Sequence, residues 1–144
     1  MIVKNILICE DIRQEVGNKF SLMGVLGSAI HIDVPPGMPK DNIIVISLAC
    51  LISMENSNQE NDPKDFNVQI SMSLADKKFG NMTAKIMSTG KQIDRISHLP
   101  VPKFEFGIKD GATTLSVHAQ IIKNETVISE SFATLDINLN GQSS

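Results

Sequence analysis

The densest potential chemistry in the chain lies in the stretch CEDIRQEVGNKFSLMGVLG, which begins at Cys9. A thiol there adjoins two carboxylates, Glu10 and Asp11, and Arg13 and Glu15 follow closely. Such a group could supply a nucleophile, a general acid or base and an anion-binding cation. A reactive cysteine needs an activator that lowers its pKa, usually a nearby basic group. Neither Cys9 nor Cys50 has one close in sequence, and both lie inside apolar segments, where a reduced cysteine behaves as a small hydrophobe. Two buried, free thiols are therefore expected.

The element that positions these residues reads as a β-hairpin. If Gly17, Asn18 and Lys19 form a three-residue loop, Val16 opposes Phe20. Ile12, Val16, Phe20 and Leu22 then share one face, while Asp11, Arg13, Glu15 and Ser21 share the other. A two-residue loop would scatter the apolar residues over both faces. Asp11 and Arg13 become solvent-side charges, but Glu10 falls on the inner side with Ile8 and Ile12, where a carboxylate needs a partner or a path to water.

The run ILICEDIRQEVGNKFSLMGVLG resembles the amino-terminal signature of a family of short bacterial proteins catalogued as a domain of unknown function. The shared pattern is an apolar strand, a Cys/Ala-Glu/Asp-Asp-hydrophobic-Arg stretch, a Gly/Asn turn and a Ser-Leu-hydrophobic-Gly return strand. The likeness extends more weakly through LISMENSN and FNVQISMSL to KFEFGIKDG. It implies a similar β-sandwich and brings no activity, substrate or cofactor with it.

Strict alternation governs the rest of the chain. In FNVQISMSLA, Phe66, Val68, Ile70, Met72 and Leu74 alternate with Asn67, Gln69, Ser71 and Ser73, the period of a half-buried strand. TTLSVHAQI repeats it with Leu115, Val117, Ala119 and Ile121 on one face, and KFEFGI with Phe104, Phe106 and Ile108. Ile30, Ile32 and Val34 oppose His31 and Asp33 until the prolines of VPPGMPKDN end the ladder. IIVISLACLISM is apolar on every side; its β-branched opening favours a central strand, although periodicity alone does not separate that from a buried helix. Turns are expected at Gly17-Asn18, Asp76 to Asn81, Thr89-Gly90, Asp110-Gly111 and Asn124-Glu125. Glu55 to Asp65, polar and acidic, reads as a mobile surface loop.

With 144 residues, 42% apolar and 20% charged, the composition fits one globular domain. Strands with one apolar face each need a partner layer. The expected fold is all-β: a two-sheet antiparallel β-sandwich of immunoglobulin-like or jelly-roll type over residues 1–139, with a closed β-barrel as the alternative and 140–144 as a frayed tail.

A net charge of −3 and the lack of a Lys/Arg stripe give no reason to expect nucleic acid. The apolar run in MIVKNILICED is too short for a secretory core, and the run from Ile43 to Met54 falls short of the ~20 residues that cross a bilayer, so a soluble cytoplasmic protein is expected. Templates for nucleophilic, metal and phosphate chemistry are missing. There is no Gly-x-Ser-x-Gly elbow; His31, His98 and His118 stand apart; Glu60, Asp62 and Asp65 lack calcium-loop spacing; and the glycines are dispersed one to a turn. No cofactor or metal is expected. Two readings follow: a non-catalytic interaction or oligomerisation module, binding an unidentified protein or itself, or a small enzyme whose polar site is assembled in space. Both would draw on Glu10, Asp11, Arg13, His31 and Asp33.

Overall fold

The computed structural model describes residues 1–17, 19–39, 41–56, 65–86, 96–109 and 112–140. Among them are nine strands and no α-helix: β1 (Ile2–Glu15), β2 (Lys19–Val25), β3 (Ala29–Asp33), β4 (Ile44–Glu55), β5 (Asn67–Leu74), β6 (Lys77–Lys85), β7 (Ile96–Ile108), β8 (Thr113–Lys123) and β9 (Thr126–Asn140). They form two packed sheets in the orders β2-β1-β4-β7 and β3-β9-β8-β5-β6. This is a β-sandwich that does not close into a barrel.

The alternating segments place their apolar faces between the sheets. Val68 and Ile70 of β5, Leu115, Val117, Ala119 and Ile121 of β8, and Leu135 and Ile137 of β9 are fully buried there. Opposite them pack Ile6 and Ile8 of β1, Leu48, Cys50, Ile52 and Met54 of β4, and Phe106 and Ile108 of β7. Each large side chain so buried stabilises the fold by roughly 1.5–3 kcal/mol relative to exposure. The segment apolar on every side is the central strand β4, hydrogen-bonded to β1 and β7.

Several expectations need correction. The strand pairs are antiparallel as expected except one, in which β3 runs parallel to β9. No hairpin precedes β3; residues 26–28 carry the chain from the edge of one sheet to the edge of the other, so turn geometry does not dictate its direction. In the first hairpin Glu15 pairs with Lys19, so β1 ends and β2 begins one residue earlier than expected, and Val16, 96% exposed, lies beyond the pairing. Gly17, at φ +82°, follows it. Because both strands shift by one residue, the division of faces is otherwise kept.

The reversal expected across Asp76 to Asn81 is completed by Ala75 and Asp76 alone, both at positive φ (47° and 66°), and β6 starts at Lys77. A two-residue turn with both residues left-handed matches the twist of the strands it joins. Asn124 and Glu125 form the same kind of turn, at 49° and 64°, between β8 and β9. Glu55 belongs to β4 and Asn56 is buried, so the acidic loop begins later than expected. Asn140 belongs to β9, and its carbonyl accepts the Val34 N–H at 2.9 Å, so the domain extends past residue 139. The expected turns at Thr89-Gly90 and Asp110-Gly111, the remainder of the acidic loop with Glu60 and Asp62, and residues 141–144 lie outside the described residues.

Candidate functional site

The five polar residues singled out from the sequence are divided among three surfaces. β1 pairs with β4 only as far as Cys9–Ala49; beyond it, Glu10 to Glu15 pair with β2 alone and form a two-stranded ribbon. Glu10 sits on the same side of β1 as Ile8 but is exposed, because the ribbon has left the interior. Its side chain crosses Gly24, whose φ is +62°, and a Cβ added there would meet the Glu10 carboxyl carbon at 2.6 Å. Glycine at 24 thus supplies both the backbone angle and the space that lets Glu10 reach water.

Asp11 and Arg13 lie on the opposite side, the outer face of the four-stranded sheet. Asp11 accepts the Ile12 N–H at 2.9 Å and stands 4.0 Å from the ammonium of Lys103 in β7. His31 and Asp33 share the outer face of β3, at the edge of the other sheet, where Asn140 Nδ2 donates to Asp33 at 3.4 Å. Among the described residues, no hydrogen bond or ion pair joins any two of the five.

Both cysteines are free and buried. Cys50 faces the main core, and burial pushes its thiol up to about 12, with repulsion from Cys9 adding to the effect. Cys9 lies on the outer face beside Ala49, whose carbonyl accepts its S–H at 3.6 Å. Burial and the neighbouring Asp11 charge also raise its pKa, so neither thiol has the electropositive setting of a nucleophile.

Two histidines that stand alone in sequence gain partners through strand register. Ser53 Oγ and His98 Nδ1 are 2.9 Å apart across β4 and β7. The pair is exposed on an open sheet face, and among the described residues no carboxylate bonds His98 to orient it, so it lacks the third group of a nucleophilic triad. His118 Nε2 lies 2.9 Å from Glu130 Oε2, and its ring stacks on Phe132 with centroids 3.9 Å apart and planes at 3°. Gln120 donates to the same Glu130 oxygen at 3.2 Å, and these bonds hold the Glu130 carboxyl below its usual range. Among the described residues there is no group of three or more His, Cys, Asp or Glu side chains able to hold a metal.

The outer faces of the two sheets differ in kind. On the five-stranded sheet the exposed side is built mainly from Gln69, Ser71, Ser116, Gln120 and Thr134, together with Phe132, stacked on His118, and Val127. On the four-stranded sheet the central Cys9, Ala49 and Leu51 are buried, and the exposed apolar side chains are Met23 and Val25 on β2 and Ile43 and Val45, each 63% exposed, near the start of β4. Asp11 and Lys103 meet across this surface, over β4, and Arg13 and Glu105 flank them. The surface escaped the sequence reading because β4 is apolar on both sides, leaving no alternation to show which residues face outward.

Comparison with known proteins finds no matching family model, no matching curated protein and no matching solved structure. Among the described residues no helix is long and apolar enough to cross a membrane.

Proposed function

We propose that the protein is a non-catalytic interaction module that engages a protein partner, or a second copy of itself, through the outer face of its four-stranded sheet. One observation carries this reading. The outer face of the five-stranded sheet is mostly polar, with Phe132 and Val127 exposed on it, while the four-stranded sheet exposes Met23, Val25, Ile43 and Val45 among the charged groups Asp11, Arg13, Lys103 and Glu105. Exposed apolar side chains set among charged ones mark a contact surface. Of the five polar candidates, Asp11 and Arg13 lie on this surface; Glu10, His31 and Asp33 do not. The first hairpin is similar to that of short bacterial proteins of unknown function, and the proposed setting is the cytoplasm.

The test combines sedimentation velocity with affinity capture, comparing the wild type with Val45→Lys and with the Asp11→Ala/Arg13→Ala double variant. The expected result is self-association or a captured partner in the wild type, lost in both variants while their melting curves stay cooperative. Undiminished association in both would place the contact elsewhere.

A further inference from the structure

The second site lies where the sandwich fails to close. β6 and β7 are edge strands of different sheets, and the side chains of β6 meet those of β7 through Phe79, whose ring centroid is 5.5 Å from that of Phe106 and 6.3 Å from that of Phe104. Phe79 reaches this position because it is the extra residue of a β-bulge: Ser73 pairs with Lys78 and Met72 with Gly80, leaving Phe79 unpaired. Bulges are a recurrent device for re-aiming a side chain beside a functional site. Gly80 is part of the arrangement, since a Cβ there would meet the Met72 methyl at 2.6 Å.

The resulting cleft has a volume of about 330 Å³, with Leu74, Phe79 and Phe106 as apolar lining and Lys77, Lys78 and Glu105 as its charged groups. Its size is near the lower end for ligand cavities, so its occupant is small. Next to it the chain turns through Ala75 and Asp76, two non-glycine residues held at positive φ. Among the described residues neither lysine has an ion-pair partner, and two lysines against one glutamate leave one positive charge in the lining.

From these observations we infer that the cleft binds a small monoanionic amphiphile: a carboxylate held by Lys77 and Lys78, with an apolar body against Phe79, Phe106 and Leu74. The aromatic faces alone would also attract a cation. The two lysines reverse that preference, and Glu105 disfavours a second negative charge on the ligand. This site adjoins the outer-face surface proposed above, with Glu105 at the join, but does not depend on that reading.

The probes are sodium octanoate and octylammonium chloride, which share an apolar chain and carry opposite charges. Binding is followed by calorimetry and by side-chain NMR shifts in the wild type and in Lys77→Glu/Lys78→Glu, with circular-dichroism melts confirming the fold. Octanoate should bind saturably, shift resonances of Leu74, Phe79 and Phe106 rather than those of Met23 and Val25, and bind at least tenfold more tightly than octylammonium. The double variant should lose at least tenfold in octanoate affinity. No saturable octanoate binding, equal binding of the two probes by the wild type, or undiminished binding by a folded double variant would overturn the assignment. The two-probe comparison needs no variant, so it decides the matter even if the variant does not fold.

Discussion

Asp11 of β1 and Lys103 of β7 reach one another, 4.0 Å apart, across the strand that separates them. Strands two places apart lie about 9–10 Å apart, so the contact requires a long side chain above a small one. Ala49 supplies the small one: it pairs with Cys9 on one side and on the other faces the β7 irregularity, where Leu48 pairs with Phe104 and Cys50 with Val101. The lysine and aspartate lie over Ala49 and help to bury it and Cys9. Lys103→Ala should change stability by less than about 1 kcal/mol, since exposed ion pairs contribute little. Cys9 should nevertheless react faster with a thiol reagent while Cys50 does not. Unchanged Cys9 reactivity would show that other groups shield it.

The two left-handed glycines of the first hairpin should respond differently to substitution. Gly17, at φ +82° with open space around it, should cost about 1 kcal/mol as Ala, from the backbone alone. Gly24→Ala adds a clash with the Glu10 side chain and should cost more. In a Glu10→Ala background the steric part of the Gly24→Ala loss should disappear and the backbone part remain. A double-mutant cycle by chemical denaturation measures this.

Alkaline pH should weaken the fold through its buried thiols. The Cys50 pKa is raised from 9.0 to about 12, so between those values the unfolded chain has lost a proton that the folded chain keeps. The contribution is complete below about pH 9 and is lost as pH rises toward 12, at a rate of order 1 kcal/mol per pH unit. Denaturation midpoints for the wild type and Cys50→Ala across that interval should converge as pH rises. Parallel curves would argue against it.

On the other sheet, Glu130 should titrate below an ordinary glutamate because His118 and Gln120 bond to its carboxylate. The sign is that of a depressed acid: its contribution is present above the unfolded pKa and is lost as pH falls through the folded one. The carboxyl-carbon NMR titration of Glu130 should move upward in His118→Ala. An unmoved midpoint would mean that the hydrogen bond is not maintained in solution.

The sequence by itself determined the β class and much of the core. In Phe66 to Leu74 and Leu115 to Ile121, hydrophobicity repeats with the period at which side chains change face, and the inward residues are those the alternation names. It also determined that Asp11 and Arg13 share a face, because their spacing keeps parity even when the loop shifts by one residue. Register, crossovers and bulges were decided only in three dimensions. Extending the Lys123–Thr126 pairing without interruption would set Phe132 opposite the buried Val117. The irregularity that leaves Ile128 unpaired moves Phe132 opposite His118, on the exposed side. A one-residue change of register reverses every face beyond it, and what chooses it is how the whole β9 segment packs against both its neighbours. For the same reason Phe79 is aimed at the other sheet, His98 meets Ser53, and Lys103 comes within reach of Asp11 across a strand the sequence places far from both.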